Sequence, residues 1–425
     1  MPILCFVTRH SEVVKRSAGL SLMLAALAIG PAWAVLATEL VPEAGPMQVG
    51  ELVAERYDTA HPYIGPGTKE PALILTHEIH LTGATYIAPH FSRFELAEGD
   101  YVIVRSPDGR RSWRYEGYGK GELGRTEGFW GIHIPGDRLF VELYSQGTHQ
   151  AYGYTIDHVA RGFAPDVPVI PEAVCGIDDS DWAQCYSGTE PEIYSESRAV
   201  ARLLINGTAR CTGWLVGNEG HLFTNNHCIS TPQAAANTDF EFMAEGMCGE
   251  FCARGACPGD IVTTMSTLVQ TNGTFDYTLL LLDTNPTDTY GFFQLRETGP
   301  VEGERIYIPQ HPRGEGKQIA VASTHPSDAS GFGEIDRVFV NGTATLGTYY
   351  ADTAGGSSGS PIVGYDDHCV VVLHQGTFGC TGLGNTGNVI DQIIADLGPN
   401  LPEAALCSPS EIFSDSFETG DTSRW

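Results

Sequence analysis

Basic residues are scarce in this 425-residue chain. Lys and Arg number 24 against 52 Asp and Glu, a formal net charge of −28. A general nucleic-acid or anionic-membrane binder needs a basic surface, so that class of function is excluded. Past residue 34 no apolar run approaches a membrane span. Cysteine is absent from residue 6 to residue 174. Charged residues make up only 18% of the chain, but 42% is hydrophobic, which is a globular composition rather than a disordered one. Glycine (50) and proline (25) are plentiful, and so many turns favour an all-β protein of short strands. At about 150 residues per domain, the length predicts two or three domains.

The first 34 residues read as a secretory signal peptide. Arg9, Lys15 and Arg16 form a basic start, Leu20 to Ile29 is a short apolar run, and Ala32-Trp33-Ala34 fits the small-residue cleavage rule. The mature chain is expected to be exported, with no membrane span. Cys5 leaves with the signal, and ten cysteines remain, all after residue 174. An even count in an exported chain predicts up to five disulfides, confined to one domain. The cluster Cys248, Cys252, Cys257 has a zinc-like look, but no histidine lies near it in sequence, so disulfides are expected and no metal or other cofactor.

Residues 35–165 read as a separate β-sandwich or jelly-roll-like domain, propeptide or auxiliary in role. Strand-like runs cover 72–81, 85–87, 101–105, 129–134, 139–144 and 152–159, with turn chemistry at Pro107-Asp108-Gly109 and Pro135-Gly136-Asp137. His77, His80, His90 and His133 have no HExxH or other metal-ligand spacing and read as strand residues, with metal binding the lesser alternative. Ala164 to Ala173 carries three prolines and reads as an extended linker. Arg161-Gly162, just before it, reads as an exposed bond open to self-cleavage. Residues 166–407 form the second domain, closed by a helix over 388–397 that Gly398-Pro399 stops. Residues 408–425 read as an acidic tail.

Three segments carry chemistry. CTGWLVGNEGHLFTNNHCI (211–229) holds His227 at a strand end between Cys211 and Cys228. TFDYTLLLLD (274–283) starts a buried strand at Asp276, an acid that needs a partner if buried. AGGSSGSPIV (354–363) brackets Ser358 with glycines that allow a tight turn of converging N–H groups. Alone, each string is weak. Together they give His, Asp and Ser in that order, the order of a chymotrypsin-type triad. Ser358 needs a base, His227 can take and return its proton, and Asp276 would hold the imidazole tautomer. The Gly356 and Ser358 N–H groups would form the oxyanion hole. A serine esterase of another fold would need Ser, Asp, His order. An inert binding or adhesion module on a protease fold would be expected to have lost triad or oxyanion residues, and this chain keeps them.

These segments resemble the trypsin-like serine endopeptidases: TNNHC stands for their TAAHC, DYTLL for DIALL and GSSGSP for GDSGGP. The resemblance covers roughly 175–400 and is nearest to bacterial lysyl and glutamyl endopeptidases. It implies two six-stranded β-barrels and a monomer acting on protein or peptide substrates. It also implies Cys211–Cys228, Cys175–Cys380, and Cys185 joined to Cys248, Cys252 or Cys257. No IVGG-like activation sequence precedes the domain, and Ser357 stands where animal zymogens keep the aspartate that pairs with the new amine. Asp352 lies six residues before Ser358, where trypsin binds Lys or Arg, and inclines the reading to basic P1. Thr353 and His374 stand where glutamyl enzymes bind an acidic P1, and the loop 381–388 lacks the acid that reads lysine in lysyl enzymes. Non-reducing mass mapping of the exported protein is expected to find no free thiol at Cys211 or Cys228. Free thiols at both would overturn the disulfide reading and reopen the metal one.

Overall fold

The computed structural model describes residues 45–147, 149–164 and 174–407. The expected signal peptide, the linker beyond Ala164 and the acidic tail lie outside the described residues. The described part is all-β: a sandwich followed by a chymotrypsin-like pair of curled sheets. Among the described residues no helix is long and apolar enough to cross a membrane.

The sandwich packs two antiparallel sheets. One runs Ala72–His80, Arg138–Ser145, Tyr101–Arg105, Ser112–Glu116. The other runs Gly50–Val53, Gly153–Gly162, Tyr86–Glu95, Phe129–Trp130, with Tyr57–Asp58 and Ile134–Pro135 added at its sides. Phe91, Phe94, Tyr115, Phe129 and Tyr154 meet ring to ring between the sheets. The sequence reading stops the Tyr86 strand at Ile87 and misses Gly50–Val53 and Ser112–Glu116. These runs are short or mix polar with apolar residues, and only pairing to a neighbour makes them strands. Arg161-Gly162 is also corrected. It lies inside the strand Gly153–Gly162, with Arg161 registered between Glu51 and Ile87, so it is not an exposed linker bond.

Each of the two curled sheets has eight strands where the resemblance implies six. The first runs Asp260–Thr263, Thr238–Phe242, Val200–Ile205, Ala209–Val216, His221–Thr224, Tyr277–Leu282, Ser266–Asn272, and gains Met47–Gln48 from the sandwich side. The second runs Asp181–Trp182, Gln318–Ala320, Ile306–Gln310, Pro361–Gly364, Val370–Thr377, Asn385–Val389, Ala344–Tyr349, Ile335–Asn341. Asn206 and Gly207 both take left-handed φ in the hairpin between Val200–Ile205 and Ala209–Val216, which suits an Asn-Gly turn. The closing helix is Ile390–Leu397, with Ile390, Ile393 and Leu397 buried at helical spacing.

Every residue of Val200–Ile205 and Ala209–Val216 is buried, although a strand turns alternate residues to opposite faces. Ala201, Leu203 and Ile205 enter the barrel core. Leu204 packs outward on Val49, Tyr86, Ala88 and Ala160 of the sandwich. Arg202 lies opposite Glu241, and Leu204 lies between Arg210 and Asp239, so the charges share that covered outer face. Arg202 donates to Glu241 Oε2 from Nε at 3.0 Å and Nη2 at 2.9 Å, and Arg210 stands 3.7 Å from the same oxygen. The sandwich adds Arg111, 3.3 Å from Glu241 Oε1, and His133, whose Nδ1 is 2.6 Å from Asp239 Oδ2. The expectation that His133 is a strand residue is corrected: the run 129–134 breaks into Phe129–Trp130 and Ile134–Pro135, and His133 lies between them, turned to Asp239. Lys120 donates to the carbonyls of Ala236 and Thr264. Burial pushes the Glu241 carboxyl up, but Arg202, His133, Arg210 and Arg111 together hold it well below the usual carboxylate range. Burial, then Arg202, pulls Arg210 down to about 10. Glu241→Ala would strand two buried guanidiniums and is expected to destabilise the protein by about 3–5 kcal/mol. Urea unfolding checks this, and an unchanged midpoint would show that the cluster carries no net weight.

Candidate active site

The strand His221–Thr224 ends in a tight turn, where the N–H groups of Cys228 and Ile229 both donate to the Asn225 carbonyl. Asn225 Nδ2 donates to the Asp276 carbonyl at 2.8 Å, fixing one end of the neighbouring strand against this turn. Asp276 sits at left-handed φ and is 4% exposed. Its Oδ1 accepts the His227 backbone N–H at 2.9 Å, and its Oδ2 lies 2.7 Å from His227 Nδ1. A carboxylate at Nδ1 fixes the proton there and leaves the lone pair on Nε2. That Nε2 is buried with no hydrogen-bond partner among the described residues.

The Ser358 turn reaches the same place through Thr212. Thr212 N–H donates to the Ser358 carbonyl and its Oγ1 to the Gly356 carbonyl, both at 2.9 Å. Gly359 has φ +89°, and a Cβ there would lie 2.3 Å from the Thr212 carbonyl oxygen, so only glycine fits this contact. Gly356, at φ +96°, turns the chain ahead of Ser358. Neither the Gly356 nor the Ser358 N–H has a hydrogen-bond acceptor among the described residues. Ser360 Oγ is committed to the Ser357 carbonyl at 2.6 Å, whereas Ser358 Oγ has only a 3.5 Å contact to the Gln375 carbonyl. The structure thus joins His227 to Asp276 directly and ties the Ser358 turn to Thr212, beside the Cys211–Cys228 bridge that reaches the His227 turn. Thr212, Asn225 and Gln375 belong to this arrangement; CTGW and TNNHC contain the first two, but nothing in those strings marks what they hold.

The disulfides are Cys175–Cys380, Cys185–Cys248, Cys211–Cys228, Cys252–Cys257 and Cys369–Cys407. Cys211–Cys228 ties the residue before Thr212 to the residue after His227. The close grouping of Cys211, Cys228 and His227 is this bridge and offers no thiolate to a metal.

Asp352 is engaged by two backbone donors from the start of the protease segment. Its Oδ1 accepts the Cys175 N–H at 2.9 Å and its Oδ2 the Asp179 N–H at 2.7 Å. Burial raises its carboxyl to about 6 despite those two donors. The start of the protease segment is thus fastened by Asp352 and by Cys175–Cys380, while Ser357 Oγ accepts the nearby Ala354 N–H in a local turn. His374 is fully buried, its Nδ1 2.6 Å from the Tyr349 hydroxyl and its Nε2 without a hydrogen-bond partner among the described residues. Burial, then the nearby His227, pulls His374 down to about 3, so it is neutral. Thr353 Oγ1 is likewise buried and without a partner among the described residues.

Residues 175–391 match the family described as lysyl endopeptidase, C-terminal domain. The chain is also similar to secreted RxLR effector protein 73 of Plasmopara viticola, at 38% identity over 333 residues, covering 74% of this chain and 79% of that protein. Among solved structures it is similar to a Glu endopeptidase in complex with MPD, at 18% identity, covering 54% of this chain and 98% of that one, with a TM-score of 0.36. It is also similar to the HtrA-type protease AlgW with tripeptide, at 16% identity, covering 49% of this chain and 61% of that one, with a TM-score of 0.37.

Proposed function

This chain belongs to the lysyl endopeptidase C-terminal domain family, and we propose that it is a secreted serine endopeptidase with Ser358 as nucleophile, His227 as base and Asp276 as orienting acid. The observation that carries the proposal is the double grip of Asp276 on the His227 N–H and Nδ1, which leaves a bare Nε2. In the reaction Ser358 Oγ leaves its long contact with Gln375 and hydrogen-bonds His227 Nε2. It gives up its proton there and attacks the substrate carbonyl carbon. The resulting oxyanion takes the free Gly356 and Ser358 N–H groups, where one donor is worth about 3 kcal/mol. The imidazolium, stabilised by Asp276, protonates the leaving amine. Water then enters by the same proton route and hydrolyses the acyl-enzyme. The five disulfides support an extracellular setting.

The local chemistry favours an acidic P1 residue over a basic one. A basic P1 would require Asp352 to exchange two backbone donors for a substrate ammonium. The Tyr349 hydroxyl lies 2.6 Å from Nδ1, and in this reading it donates there, which puts the His374 proton on Nε2. Together with the Thr353 hydroxyl this makes two unmatched donors for a carboxylate. The sandwich is read as a retained part of the enzyme. Its Lys120, Arg111 and His133 are spent on the barrel, and the 333-residue likeness to the effector is longer than the segment 174–407.

Ser358→Ala is expected to lower kcat by at least about 10⁴-fold with the fold intact, and His227→Ala by a similar factor. Retention of more than a few per cent of wild-type activity in Ser358→Ala would place the nucleophile elsewhere. For matched peptides, Glu at P1 is expected to exceed Lys at P1 by at least about 100-fold in kcat/KM. The reverse order would return P1 recognition to Asp352 and to a lysyl-type enzyme.

A further inference from the structure

The sandwich carries a second cluster of chemically capable side chains, unrelated to the triad. His90 lies on Tyr86–Glu95 and is registered directly opposite His158 on Gly153–Gly162. Strict alternation would turn Asp157 to the opposite face from His158. The register prevents this: Ile156 pairs with Phe91 and His158 with His90, so two steps on one strand face one step on the other. Ile156 is fully buried in the sandwich core, and this bulge leaves both Asp157 and His158 partly exposed beside His90. The sequence gives no HExxH-like spacing because the grouping is made across strands and by an irregularity.

The donors are already assembled. His90 Nδ1 is 2.6 Å from Asp157 Oδ1, and His158 Nδ1 is 3.0 Å from Asp157 Oδ2. One ligand atom from each of the three residues lies within 4.8 Å of the others. Tetrahedral ligands about 2.0–2.1 Å from an ion stand roughly 3.3 Å apart, so small side-chain adjustments suffice to seat one. Two imidazoles and one carboxylate suit a borderline transition-metal ion, whereas calcium and magnesium prefer all-oxygen sites. The side chains are 20%, 30% and 44% exposed for His90, Asp157 and His158, which leaves an entry path and room for water as a fourth ligand.

We propose that His90, Asp157 and His158 form a binding site for a divalent transition-metal ion of the zinc class. The ion would bridge the two central strands of this sheet at the rim of the face that docks on the barrel. Trp130 marks that rim: its ring is 4.9 Å from the His90 ring, and a Cβ on Gly207 of the barrel hairpin would come within 2.8 Å of it. The site is independent of the protease reading, because none of its residues touches the triad.

Binding is tested on the full exported chain carrying Ser358→Ala, dialysed against zinc chloride and then against metal-free buffer. Elemental analysis is expected to find about one zinc per chain. The additional pair His90→Ala and His158→Ala, checked for folding by circular dichroism, is expected to weaken zinc by at least about tenfold. Asp157→Asn, which keeps the side-chain shape, is expected to weaken it as well and serves if the pair misfolds. Nickel chloride is expected to quench tryptophan fluorescence saturably, and Trp130→Phe to remove that component. No retained zinc in the parent, or equal zinc in the parent and in the ligand variants, overturns the proposal.

Discussion

The buried carboxylate of Glu241 is the point from which the rest of the molecule is held. It faces Arg202 and Arg210 from its own barrel and Arg111 from the sandwich, while neighbouring Asp239 takes His133. Any one of these charges, left alone at this depth, would cost several kcal/mol. Together they make the sandwich part of the barrel's electrostatic balance, so a barrel stripped of the sandwich would expose an apolar strip and unbalance a charge cluster. This explains why strands that are barrel walls on one face are buried on both.

Three consecutive residues carry this organisation to the site. Arg210 belongs to the charge cluster, Cys211 is bonded to the cysteine beside His227, and Thr212 holds the Gly356 and Ser358 carbonyls. The docking face, the histidine turn and the serine turn therefore share one strand, Ala209–Val216. The second anchor is at the other end of the protease segment, where Asp352 and the Cys175–Cys380 bridge fasten residues 175–179. In activatable relatives a new amine serves such a role by pairing with an acid next to the serine. Here Ser357 occupies that place and bonds only within its own turn.

Much of the chemistry is written locally. The cysteine distribution, the His, Asp, Ser order and the glycines around Ser358 are properties of short strings, because a tight turn needs glycine wherever it occurs and a triad needs three particular side-chain types. The alternating and continuous apolar runs announce strands, and hence the all-β class. Other features have no local signature. Asp352 stands at a specificity position by count, yet the chain folds its oxygens onto the Cys175 and Asp179 N–H groups. Arg161-Gly162 looks like a linker by its neighbours, yet pairs with strands more than 70 residues away. The extra strands Met47–Gln48 and Gly50–Val53 are too short to be recognised without the edges they complete.

By itself, then, the sequence determined the element type, the set of cysteines available for disulfides and the candidate reacting groups, since each depends on residue identity or near-neighbour pattern. Only the tertiary structure decided which charges are buried, which acid is already engaged, and that Asp157 joins His90 and His158. Those outcomes depend on register between strands far apart in the chain, and a single bulge or a covering sheet changes them without altering any local pattern.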